Sequence, residues 1–170
     1  MIGSKSLKVS FLIVISFAFS IAQGQVSKIE MQSVLQETLM KYRNAVSNVT
    51  NSWRYDNTND DYFVRDTITL SSARSYTKNY CKEIRWNFYE NEKLVLENTP
   101  ECTEPPTMLA PKKEDYLDLL FTEKNGALYL MLKNSEGIRD TFKVLKLQKN
   151  KPVLVEESMF DYTLYLAREN

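Results

Sequence analysis

The dipeptide Asn125-Gly126 stands between two apolar runs in "DYLDLLFTEKNGALYLML". A type I′ hairpin turn needs positive φ at both central residues, and Asn-Gly adopts it at little cost. A two-residue turn at this point sets Phe121 opposite Leu130 and Leu119 opposite Leu132. Those pairs share one face, so turn chemistry and hydrophobic pattern agree on one register. A helix over 114–120 fits the composition but leaves that agreement unexplained.

The alternation extends on both sides. "EIRWNFYE" puts Ile84, Trp86 and Phe88 on one face and Arg85 and Asn87 on the other, and "EKLVLEN" follows with Leu94 and Leu96. Upstream, "DYFVRDTITL" reads as a strand with Tyr62, Val64, Ile68 and Leu70 on one face, interrupted at Asp66. Downstream, "GIRDTFKVLKL" and "PVLVEE" flank a polar turn at 148–151. "FDYTLYLAR" alternates Phe160, Tyr162, Leu164 and Leu166 against Asp161, Thr163 and Tyr165. The proline-rich "PECTEPPTMLAPKK" must be a loop. Short strands at intervals of about 8–12 residues predict an all-β antiparallel barrel or sandwich.

The first residues read differently. Lys5 and Lys8 precede an apolar run over 11–22, followed by small residues at Ala22 and Gly24. This is the layout of a secretory signal peptide, and the run is shorter than the ~20 residues a membrane span needs. The expected organisation is a signal peptide at 1–24, an amphipathic helix within 25–50, and a β-domain at 51–170. In the helix, Ile29, Val34, Leu35, Leu39, Tyr42 and Val46 approximate one face, and Ser27 followed by Glu30 fits a capping box. A secreted or periplasmic protein follows, with no transmembrane segment once the signal is removed. In such a compartment, two cysteines read first as a disulfide. Cys81 and Cys102 are nearly equidistant from the polar turn at 90–93, so antiparallel strands from that turn bring them together. Two free thiols or a metal site are the alternatives, and the latter lacks further ligands.

Composition narrows the chemistry. The chain holds 22 basic and 22 acidic residues; removing Lys5 and Lys8 leaves a formal charge of −2. That is no footprint for nucleic acid, which demands a clustered positive excess. Histidine is absent, which removes the commonest general base and metal ligand. Serine–histidine, cysteine–histidine and histidine–zinc mechanisms are therefore excluded, and no metal or cofactor site is read from the sequence. Carboxylate-pair hydrolysis is not excluded by composition, but the acidic clusters at 59–61 and 156–157 read as solvated turns and strand ends. A non-enzymatic role is expected.

Aromatics carry the functional reading. Trp86, Phe88, Tyr62, Phe142 and Tyr162 fall on apolar strand faces, as a filled core or as the wall of a cavity for a small hydrophobic molecule. The competing reading is a filled β-domain that binds a protein partner.

The order of features resembles the lipocalin-like members of the calycin group, particularly the short bacterial secreted ones. "NSW", ending at Trp53, is similar to the Gly-x-Trp motif that opens the first lipocalin strand, with Asn51 where glycine is usual. Arg168, after Leu164 and Leu166, is similar to the late arginine of that group. The resemblance spans 51–169. It implies an eight-stranded up-and-down barrel that carries a small hydrophobic molecule, closed by Arg168 packing on Trp53.

Overall fold

The computed structural model describes residues 25–43, 51–72, 82–101, 109–150 and 161–169. The expected signal segment, the "PVLVEE" run and both cysteines lie outside them. Among the described residues, one helix, α1 (Lys28–Arg43), precedes eight strands. These are β1 (Asn51–Asp56), β2 (Thr67–Ser71), β3 (Glu83–Glu90), β4 (Lys93–Thr99), β5 (Tyr116–Lys124), β6 (Ala127–Asn134), β7 (Gly137–Asn150) and β8 (Asp161–Arg168). All neighbouring pairs are antiparallel, and the sheet closes into a barrel. The expected all-β barrel with one N-terminal helix is the observed fold.

Strands β3 to β8 follow one another around the ring, and the order β8-β2-β1-β3 closes it. Thus β3 pairs with β1 rather than with β2, its predecessor in sequence. Closure leaves each of the eight described strands with a neighbour on both sides.

Local chemistry accounts for the hairpins. Asn125 (φ 52°) and Gly126 (φ 74°) form the two-residue turn, with Lys124 opposite Ala127, Phe121 opposite Leu130 and Leu119 opposite Leu132. The 114–120 helix is not formed; a single 3-10 turn, Lys113–Asp115, leads into β5. The β6–β7 turn closes on Asn134, whose side-chain oxygen accepts from the backbone N–H groups of Glu136 (2.9 Å) and Gly137 (3.1 Å). A bulge in β7 between Val144 and Lys146 inserts one residue, which leaves Leu145 half-exposed. Beyond it Leu147 is packed against the core again.

Two expectations are corrected. The stretch containing Tyr62 and Val64 is not a strand: β2 starts only at Thr67, and residues 57–66 form a re-entrant loop. Asn57 accepts the Tyr62 backbone N–H at 3.1 Å, while Asp61 O accepts from Val64 N (3.1 Å) and Arg65 N (3.0 Å). This coil buries Tyr62 completely and leaves Val64 79% exposed, so they share no face. In α1 the Ser27 hydroxyl caps Glu30 N at 3.1 Å, as expected. The buried stripe, however, is Met31, Val34 and Leu35, while Ile29 is 80% exposed. Spacings of three and four residues from Met31 lie on one face, and Ile29 points away from it.

Candidate functional site: the barrel lumen

Burial alternates along β1 and β8, and the inward set of the barrel is apolar apart from Asn51 at the start of β1. It includes Trp53 and Tyr55 on β1, Ile84, Trp86 and Phe88 on β3, Leu94 and Leu96 on β4, and Tyr162, Leu164 and Leu166 on β8. The charged side chains nearest this space stand at its rims: Asp140 and Arg168 at one, Lys149 beside Tyr162 at the other. Buried Glu83 lies on the alternate, outward phase of β3 and is paired with Arg85.

One end of the lumen is sealed by the re-entrant loop. Tyr62 drops into the barrel, and its hydroxyl accepts the Trp86 Nε1–H at 2.8 Å. Trp86 in turn lies 5.7 Å, centroid to centroid, from Phe142. Since β3 and β7 are separated by three strands in either direction around the ring, that contact spans the lumen. Three of the five aromatics predicted as a ligand wall therefore form one touching layer: Tyr62, Trp86 and Phe142. Phe88, two residues on from Trp86, faces the space beyond it, and Tyr162 stands at the start of β8 with the Lys149 ammonium 5.9 Å from its ring.

Arg168 locks this layer. Its guanidinium lies 4.7 Å from the Phe142 ring centroid and 5.6 Å from that of Tyr62, pairs with Asp140, and donates to the Tyr62 carbonyl at 2.8 Å. Its backbone N–H donates to Asp66 O at 2.7 Å, tying the end of β8 to the loop. Among the described residues, the ring partners of Arg168 are thus Phe142 and Tyr62, not Trp53. Trp53 instead sits directly opposite Trp86 on the neighbouring strand. Asp140 was missed by sequence reasoning. Its signal was an acid in the same phase as Phe142, a position that requires a cationic partner when buried.

The opposite end is covered by α1. Met31, Val34 and Leu35 are buried, and Phe121 is partly buried against the core beneath the Lys28 ammonium, 5.9 Å from its ring. Gln32 donates to the Glu92 carboxylate, and Lys28 N to Glu123 Oε1 at 3.3 Å. A hollow of about 240 Å³ lies in this seam, lined by Gln32, Leu35, Gln36, Asn91 and Glu92.

The two tryptophans of the chain face each other yet differ in polar satisfaction. Trp86 Nε1 is paired, whereas Trp53 Nε1 is buried with no hydrogen-bond partner among the described residues. Burial pushes the Tyr62 hydroxyl up to about 12, although the Trp86 hydrogen bond and the Arg168 charge pull the other way. Tyr55 also rises to about 12, through burial and then through its 2.6 Å hydrogen bond to Asp61. At neutral pH both are uncharged hydrogen-bonding groups.

No family model, curated protein or solved structure matches the chain. The fold itself defines the class: an eight-stranded antiparallel β-barrel, consistent with a lipocalin-like architecture and compatible with ligand binding.

Proposed function

We propose that the chain is an exported, non-enzymatic binding protein that holds a small hydrophobic molecule inside its barrel. The supporting observation is the lumen between its two closures: apolar on its buried inward positions apart from Asn51, with charged side chains only at the rims. Such a lining, with few polar groups, suits a small apolar guest. The guest rests against the Trp86–Phe142–Tyr62 layer, with Phe88 and Tyr162 on the wall and α1 as its cover. Entry runs through the seam between α1 and the β3–β4 turn, where the Gln32–Glu92 hydrogen bond holds the helix. Export rests on the layout of residues 1–24, and a Cys81–Cys102 bridge belongs to the same reading.

A second reading, a filled barrel that binds a protein partner, is favoured by the Trp86–Phe142 contact across the lumen. Titration with retinol and methyl octyl ketone, read by tryptophan fluorescence, separates the two. Saturable binding, weakened in Phe88→Ala while the fold persists, supports the carrier. If no apolar probe binds and Phe88→Ala costs about 3–5 kcal/mol of stability, as in a close-packed core, the interaction module takes its place.

A further inference from the structure

We infer that the guest is a neutral molecule bearing a hydrogen-bond acceptor, received by the Trp53 indole N–H; this rests on the carrier reading above. The two tryptophans of the barrel wall contrast in one respect. They occupy directly opposed positions on β1 and β3, and each is 1% exposed. The re-entrant loop brings the Tyr62 hydroxyl to Trp86 Nε1, which satisfies that donor. Among the described residues, Trp53 Nε1 has no such partner. Buried polar groups in folded proteins are overwhelmingly hydrogen-bonded, so an orphaned donor on an inward-facing ring calls for an acceptor from outside the chain. An indole N–H donates and cannot accept, so the complementary group is a carbonyl, ester or hydroxyl oxygen.

The lining decides the charge of that group. The buried inward positions carry no cation that could accompany a carboxylate to Trp53. Arg168, behind the Tyr62–Phe142 layer, is occupied by Asp140, the Tyr62 carbonyl and two rings. A carboxylate beside Trp53 would lose its hydration without gaining a counter-charge, which disfavours acids strongly. Ketones, esters and alcohols of moderate length lack that penalty. Trp53 therefore acts as a selector for neutral acceptors over both plain hydrocarbons and fatty acids.

The test is a matched series, decane, methyl octyl ketone and decanoate, titrated into the signal-free chain near neutral pH. Calorimetry and tryptophan fluorescence report binding. The ketone should bind about tenfold more tightly than decane, the value of one net hydrogen bond. Decanoate should bind more weakly than the ketone. Trp53→Phe, checked for native circular dichroism, should bring the ratio of ketone to decane affinity to about one. Equal affinities for decane and ketone, as expected if water satisfies Trp53, overturn the inference while the carrier reading survives. So does a preference for the ketone that persists in Trp53→Phe. Tightest binding of decanoate also overturns it and points to Lys149 at the rim. Binding of none of the three refutes the carrier reading and this inference together. Should Trp53→Phe fail to fold, the ketone-to-decane ratio of the native chain decides alone.

Discussion

Replacing Tyr62 by phenylalanine removes one oxygen from a fully buried position and tests the closure of the barrel directly. That oxygen accepts the Trp86 N–H at 2.8 Å, and both side chains are at most 1% exposed. Without it, a second indole donor is left without a partner in a space closed to water. An unsatisfied buried donor costs about 1–3 kcal/mol, which sets the expected loss at neutral pH. The effect should reverse in alkali. Between pH 10 and 12, unfolded Tyr62 has lost its proton while folded Tyr62, held up to about 12, keeps it. The folded state then binds more protons, so raising the pH favours unfolding. The stabilisation is complete below pH 10 and disappears as pH passes about 12. At 1.36 kcal/mol for each pKa unit, the loss specific to Tyr62 is about 3 kcal/mol. Tyr62→Phe lacks this term, so its deficit should shrink and vanish between pH 10 and 12. Urea unfolding of both proteins at intervals from pH 8 to 12, followed by far-ultraviolet circular dichroism, gives the two curves. Parallel curves with a constant gap would refute the buried, neutral Tyr62 and with it the proposed sealing of the lumen.

Arg168→Met should cost about 3 kcal/mol in the same urea assay, because it strips the mostly buried Asp140 carboxylate of its closest partner and leaves only Arg139, at 3.9 Å. Adding Asp140→Leu should recover most of that loss. Gly126→Ala should destabilise by about 1–2 kcal/mol through its φ of +74°. Its new Cβ meets only the flexible end of Gln25 at 3.0 Å, so the thermal midpoint should fall without loss of the native spectrum. Met31→Ala should cost about 2–5 kcal/mol if α1 packs on the lumen as described. Peptide mapping of unreduced protein should give one Cys81–Cys102 linked pair, and reduction should lower stability by about 3 kcal/mol; two alkylatable thiols would exclude the bridge.

By itself, the sequence determined what is local. Asn125-Gly126 set the β5–β6 register because positive φ at two successive positions admits few residue pairs. Strict alternation in β3 and β8 settled which side chains face inward, since a strand has just two faces. Ser27 marked the start of α1 through a hydrogen bond three residues long. Tertiary structure decided whatever depends on residues far apart in the chain. The alternation of Tyr62, Val64, Ile68 and Leu70 read as one strand interrupted at Asp66, but Asn57 and Asp61 coil the first half into a loop and drive Tyr62 inward. Residues 106 positions apart, Tyr62 and Arg168, meet only because β8 ends beside that loop. The placement of β1 between β2 and β3 is equally silent in the sequence. Alternation specifies a face, whereas the neighbour of a strand is chosen by how the whole sheet closes. For the same reason Trp53 and Trp86 looked alike as apolar residues in the sequence. The folded barrel supplies one with a hydroxyl and leaves the other without one.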